Sequence, residues 1–143
     1  MRSDYLNENS NSTFGLKKKV EKINEARTLT NDDSGKVFML SATGGTVAIT
    51  LPTASTGEDG VYFKFIVDEE TPANAITLGA GSAIVSFVGL DVSGTAAGTA
   101  GTQVSNVIVG AAAEKGDSIE LMFFGGEYVG TVLSGVNGAI TTS

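Results

Sequence analysis

Residues 117–133 read DSIELMFFGGEYVGTVL, a stretch in which two extended patterns flank a Gly-Gly pair. Ile119, Leu121 and Phe123 fall on one face of an extended chain, because successive side chains of a strand point to opposite faces. Gly125 and Gly126 supply the positive φ angles that a two-residue hairpin turn requires. The stretch therefore predicts a β-hairpin with strands over 117–124 and 128–133.

The same period of two runs through much of the chain before this hairpin. Val47, Ile49 and Leu51 alternate with smaller residues, Ala48 and Thr50, until Pro52 ends the run, and residues 61–67 also alternate. Further strands are predicted near 36–42, 75–78, 83–88, 104–109 and 139–142, with turns at 44–45, 58–60, 79–81 and 115–117. Such spacing predicts an all-β domain over 28–143, built as an antiparallel β-sandwich or jelly-roll-like barrel.

Composition removes most of the common catalytic chemistry. The chain has 143 residues, with no His and no Cys. It therefore cannot form a Cys/His zinc site, a nucleophile paired with His, a thiol redox centre or a disulfide. A chain of this length fits one domain with its own core. We expect a protein that is not an enzyme and that uses no cofactor or metal.

Charge is divided unevenly along the chain. Residues 1–36 hold seven basic and six acidic side chains, whereas residues 37–143 hold Lys64 and Lys115 against ten acids. The second part therefore carries a net charge of −8, a poor surface for a phosphate backbone. No run approaches the ~18 apolar residues that span a bilayer, and the first residues lack the apolar core of a signal peptide. We expect a protein made in the cytoplasm that binds neither nucleic acid nor membrane.

Residues 1–27 form a separate compositional zone, predicted to be an N-terminal arm. The sizeable apolar side chains of its first part are Tyr5, Leu6, Phe14 and Leu16. These are too few to order the segment on its own. The spacing from Leu16 through Val20 and Ile23 to Arg27 fits a short helix over 16–27. An extended arm is the alternative, because a helix of this length is marginal without a packing partner.

A low-complexity segment over 91–103 interrupts the strand pattern. It is nearly devoid of large side chains and predicts a long exposed loop. Because loops of more than ~12 residues in compact domains are often functional, it is a candidate contact between subunits. Its candidate contact residues are Asp91, Thr95, Thr99 and Gln103. A surface excursion without a partner is the alternative.

Three groups of acidic residues are candidates for a metal or catalytic site. Residues 31–35 place oxygen ligands close together but lack the spacing of an EF-hand loop, so a turn is favoured over calcium. Residues 68–70 are interpreted as a solvated loop rather than a metal cluster. Asp117, Glu120 and Glu127 are the carboxylates available for glycoside hydrolysis, and a solvated strand face is favoured over that chemistry.

Several short stretches together resemble small virion proteins of tailed bacteriophages, in particular capsid decoration (cement) proteins and related head or fibre modules. These stretches lie within residues 29–130 and are 29–30 with 33–38, 49–52, 60–65, 116–121 and 128–130. At Glu127-Tyr128 the chain departs from the pattern, since such modules often carry a Trp there.

The resemblance implies a non-enzymatic structural protein on the exterior of a virion, which stabilises the capsid by binding the major capsid protein lattice, commonly as a trimer. A polar arm and an acidic β body suit such a protein. In this hypothesis the capsid-binding residues are Tyr5, Leu6, Phe14, Leu16, Lys17, Lys18 and Lys19, the lysines complementing an acidic capsid surface. The alternative is a tail-fibre or receptor-binding module that contacts host surface glycans.

Overall fold

The computed structural model of the chain describes residues 17–53, 55–69, 72–90 and 104–143, and of 81–90 it describes the backbone. These residues form ten strands and one 3-10 turn, Asn31–Asp33, with no α-helix among them. The strands are β1 Val20–Ile23, β2 Arg27–Thr28, β3 Val37–Leu40, β4 Val47–Thr50, β5 Tyr62–Val67, β6 Ile76–Leu90, β7 Val104–Val109, β8 Ser118–Phe124, β9 Glu127–Leu133 and β10 Ile140–Thr142. The predicted all-β class is confirmed.

The first six strands alternate between two sheets, so that the chain adds one strand to each sheet in turn. β1, β3 and β5 are parallel neighbours, with Val20 beside Val37 and Phe38 beside Phe65. β2, β4 and β6 are likewise parallel, with Ile49 beside Leu78. Each connection crosses from one sheet to the other, which is why neighbouring strands run in the same direction.

The last strands complete two mixed sheets of five strands each that do not close into a barrel. In the first sheet β8 pairs antiparallel with β5 and β9 with β8, giving the order β1-β3-β5-β8-β9. In the second, β7 pairs antiparallel with β6 and β10 with β7, giving β2-β4-β6-β7-β10. The later half of β6, from Ile84 to Leu90, also pairs with β9 and links the sheets along one side.

The predicted antiparallel arrangement is wrong for the first six strands, and the two sheets do not close into the barrel that is one of the two predicted alternatives. An alternating pattern determines which face a side chain occupies but carries no information on the direction of the neighbouring strand. By contrast, the predicted hairpin is confirmed, since Gly125 and Gly126 have φ angles of 63° and 88° and join β8 to β9.

A helix over 16–27 is not formed by the described part of that segment, which instead contributes β1 and β2. Val20 is 57% exposed and Ile23 is 2% exposed, so the apolar side chains do not share one helical stripe. β1 gains hydrogen bonds from its neighbour, because the N–H groups of Val37 and Ser41 donate to the carbonyls of Lys19 and Ile23 at 2.9 and 3.0 Å. Pairing with β3 therefore prevails over a marginal local helix.

The turn predicted at 79–81 is also wrong, because β6 runs through it as one strand. The pairing of β6 with β7 shifts register between Gly79 and Ile84. A Cβ at Gly79 would lie 2.8 Å from the Asn106 Oδ1 atom. Glycine thus marks an irregularity within a strand, where backbone and side chain approach closely, rather than the end of the strand.

An aromatic cluster lies between the sheets and is built by the first sheet. Phe38 of β3 stacks on Phe65 of β5 with ring centroids 5.5 Å apart. Phe123 of β8 meets Tyr128 of β9 edge to face at 5.0 Å, and Phe63 of β5 lies 6.4 Å from Tyr128. All five rings are buried, and the Tyr128 hydroxyl donates to the Pro52 carbonyl at 2.9 Å. Burial raises the pKa of Tyr128, which therefore stays neutral as a hydrogen-bond donor.

The loop before β5 is packed against this cluster through a glycine, which gives a test of the core. A Cβ at Gly57 would lie 2.5 Å from the Phe123 ring, so Gly57→Ala forces the ring or the loop to move. We expect a loss of about 1–3 kcal/mol in the free energy of unfolding, measured by urea denaturation. Gly44→Ala is the matched control, since nothing lies within 4 Å of a Cβ there and its change should stay within about 0.5 kcal/mol. Equal stability of the two variants would contradict this packing.

Candidate interaction surface

The outward side of the first sheet carries large apolar side chains in solvent. Side chains alternate along each strand, so every second residue of the five strands points away from the core, and we call this side of the sheet the outer face. Its members are Val20, Lys22, Val37, Met39, Tyr62, Lys64, Ile66, Ser118, Glu120, Met122, Phe124, Glu127, Val129, Thr131 and Leu133. Met122 and Phe124 are 47% and 66% exposed, and Val129 and Leu133 are 45% and 68% exposed. Met122 lies directly opposite Val129 across the β8–β9 pair. Exposed apolar side chains that are contiguous, rather than scattered, mark an interaction surface.

A charged pair lies in the middle of the outer face. The Lys64 Nζ atom is 2.8 Å from the Glu120 Oε1 atom, on neighbouring strands in direct register. The hydrogen bond from Lys64 lowers the pKa of Glu120, and the same bond raises the pKa of Lys64. Burial and the Glu120 charge raise the pKa of Tyr62 beside them. The pair therefore remains ionised at neutral pH, with both groups still in contact with solvent.

A basic segment precedes the outermost strand of the same sheet. Lys17, Lys18 and Lys19 are exposed and lead directly into β1. Lys19 is 3.4 Å from Glu21, whereas no ion pair within the described residues holds Lys17 or Lys18. Among those residues β1 has a strand neighbour on one side, β3. The result is an open sheet edge next to exposed positive charge.

A second charge network is enclosed near the inner side of β1. The Arg27 guanidinium is 2.8 Å from Glu21 and 5.3 Å from the centre of the Phe38 ring. Lys36 is 3.1 Å from Glu21 and 2.5 Å from Asp33. The hydrogen bonds from Arg27 and Lys36 lower the pKa of Glu21. Burial opposes ionisation of Asp33, but hydrogen bonds from Lys36 and the Thr30 backbone outweigh it and lower its pKa. These groups satisfy one another and tie β1 to the following turn.

The carboxylates considered for glycoside hydrolysis do not converge. Asp117 is buried and accepts hydrogen bonds from the Glu114 and Gly135 N–H groups and from the Ser134 hydroxyl, at 2.8–3.0 Å. Glu120 and Glu127 are both on the outer face, four residue pairs apart along the hairpin, which is about 13 Å. Asp117 holds a loop, and Glu120 is paired with Lys64.

The other acidic groups also have local partners. Residues 31–35 form the predicted turn, with Gly35 at φ 81°, and the Thr30 N–H donates to Asp33 at 3.1 Å. Glu69 accepts hydrogen bonds from the Ala42 N–H and the Ser41 hydroxyl. Within the described ranges, no three acidic side chains are grouped so as to hold a metal ion.

Of the residues predicted to contact partners, only the three lysines lie within the described residues. Lys17, Lys18 and Lys19 lie beside the open edge of β1. The arm residues Tyr5, Leu6, Phe14 and Leu16, and the loop residues Asp91, Thr95, Thr99 and Gln103, lie outside the described residues. The sequence patterns did not lead to a prediction of the outer face. Its signal in the sequence is the unbroken apolar run of residues 121–124, which places apolar side chains on both faces of one strand.

No protein-family model, curated protein or solved structure matches this chain. No helix within the described ranges is long and apolar enough to cross a membrane.

The Lys64–Glu120 pair gives a pH-dependent test of the outer face. The pKa of Glu120 is lowered on folding, so its contribution to stability is present above its unfolded pKa and is lost as pH falls through the folded value. Lys64→Gln should lower the free energy of unfolding by about 0.5 kcal/mol at pH 7, because solvent screens a pair this exposed. The difference from the unmodified protein should vanish near pH 2–3. Urea denaturation at both pH values measures it, with Lys18→Gln as the control, because Lys18 is exposed and no ion pair within the described residues uses it. A difference that persists at low pH would contradict an ionic origin.

Proposed function

We propose that this protein is a non-enzymatic structural protein of a tailed-phage virion, which decorates the exterior of the capsid and stabilises it by binding the major capsid protein. The observation that carries the proposal is the exposed basic segment Lys17–Lys19 beside the open edge of β1. The sequence resemblance to decoration proteins supplies the identity of the partner.

The open edge is suited to receive a strand from a partner. The N–H groups of Val37 and Ser41 bond the carbonyls of Lys19 and Ile23, and bonded groups alternate along a strand. The backbone groups of Val20 and Lys22 therefore point away from β3, toward the open edge. An edge with unpaired N–H and C=O groups is a template for strand addition, in which the backbone supplies affinity and alternate side chains supply specificity.

Charge at this edge selects an acidic partner. The three lysines are consecutive, whereas residues 37–143 carry a net charge of −8. An acidic surface is therefore repelled by most of the chain and attracted at one place. Complementary charge of this kind steers the encounter and fixes orientation. Residues 1–16, which precede the lysines, extend this contact in the proposal.

The resemblance also bears on the assembly state, and one alternative function stays open. A trimer on the capsid exterior is the arrangement that the resemblance implies. A tail-fibre or receptor-binding module uses the same kind of β architecture but contacts host surface glycans. Attachment to host cells, rather than to heads, distinguishes that alternative in the experiment below.

The experiment measures how much protein co-sediments with phage heads assembled without it. Deleting residues 1–27 is unsuitable, because β1 and Arg27 belong to the folded sheets. Lys18→Glu instead reverses one exposed charge that no described ion pair uses. We expect a several-fold, up to about tenfold, loss of affinity for heads, equivalent to about 1.4 kcal/mol or less. The loss should shrink as salt is raised.

Lys115→Glu is the matched control, since Lys115 is also exposed and lies in the loop before β8. It should bind heads as the unmodified protein does. If both variants lose affinity for heads equally, the loss is due to the net charge of the protein, and a role for the edge of β1 is contradicted. Sedimentation of the unmodified protein with host cells and not with heads would contradict the decoration proposal and favour receptor binding.

A further inference from the structure

The outer face is balanced in charge, unlike the rest of the chain. Its strand positions carry two lysines, Lys22 and Lys64, and two glutamates, Glu120 and Glu127. Asp68, just past β5, is 3.2 Å from Lys22 and 3.8 Å from Lys115, so those neighbouring charges are matched as well. The whole chain has a net charge of −7. A large part of one face is therefore locally neutral on a strongly acidic protein.

The same face exposes apolar side chains, several of which adjoin one another. Met122 lies opposite Val129 in β9 and opposite Tyr62 in β5. Phe124 follows Met122 on the same side of β8, and Leu133 ends the outward row of β9. Four of these side chains are 45–68% exposed. Exposed apolar side chains that adjoin one another mark an interaction surface more often than isolated ones do.

From these two features we infer that the outer face of the first sheet is the surface through which copies of this chain associate with one another. Two chains of charge −7 repel each other at a distance, and a neutral apolar face is where they can approach closely. A second copy meets both conditions, because it presents the same neutral apolar face.

The charged pair adds complementarity that only a copy reproduces directly. Lys64 and Glu120 are adjacent, and their side chains are 34% and 38% exposed. When copies pack through this face, a lysine of one copy can lie beside a glutamate of the next. A uniformly acidic or basic partner would be repelled by one member of the pair. The inference concerns a different surface from the basic edge and does not depend on the capsid proposal.

Sedimentation velocity of the full chain, across a range of protein concentrations and without capsids, tests this assignment. The unmodified protein should sediment as an oligomer whose mass is a multiple of 14.6 kDa. Leu133→Glu places a charge at the end of the outward row of β9, on the most exposed of these four apolar side chains, and should weaken association at least about tenfold. Because Leu133 is 68% exposed in the single chain, the folded chain tolerates this change.

Ala48→Glu is the matched control. It adds the same charge at an exposed position of β4, on the outward side of the second sheet. This variant should associate as the unmodified protein does. Circular dichroism verifies that both variants are folded.

Two results would overturn the inference. One is an unmodified protein that stays monomeric up to about 100 μM, where a self-association of ordinary strength is complete. The other is association that Leu133→Glu and Ala48→Glu leave equally intact. If Leu133→Glu is unfolded, Thr131→Arg is tested in its place. Thr131 lies directly opposite Glu120, so the single chain accommodates an arginine there. Unchanged association of that variant overturns the inference equally.

Discussion

The packing of five aromatic rings between the two sheets is the constraint on which the rest of this protein depends. Phe38, Phe63, Phe65, Phe123 and Tyr128 come from four neighbouring strands of the first sheet. A strand that turns one set of side chains inward must turn the alternate set outward. The register that buries the rings therefore also determines the outer face, including the exposed Met122, Phe124, Val129 and Leu133. A shift of one residue in any of these strands would exchange the two sets.

The sequence predicts best the features that depend on local chemistry. Gly125 and Gly126 lie where a two-residue hairpin needs positive φ, and nothing distant is required to form it. The parallel winding of the first six strands could not be predicted, because alternation is the same for either strand direction. β1 was missed for a related reason. Its partner is β3, and each residue of β1 pairs with one seventeen positions further on, a distance that leaves no mark on a four-residue pattern.

Two surfaces on the same sheet are suited to different partners. The edge of β1 combines unpaired backbone groups with Lys17–Lys19, and so favours an extended, acidic partner. The outer face exposes apolar side chains and is balanced in charge, and so favours another copy of the chain in our inference. The network of Arg27, Glu21, Asp33 and Lys36 fixes β1 to the body, which holds the edge in a defined position relative to the outer face.

Hydrogen exchange at the backbone of β1, with and without phage heads, tests the central claim most directly. In the free protein the Glu21 and Ile23 amides, which face β3, should exchange slowly, whereas the Val20 and Lys22 amides should exchange rapidly. Strand addition at the open edge predicts that heads slow exchange at Val20 and Lys22 and leave Glu21 and Ile23 unchanged. Rapid exchange at Val20 and Lys22 in the presence of heads that retain the protein would contradict binding through this edge.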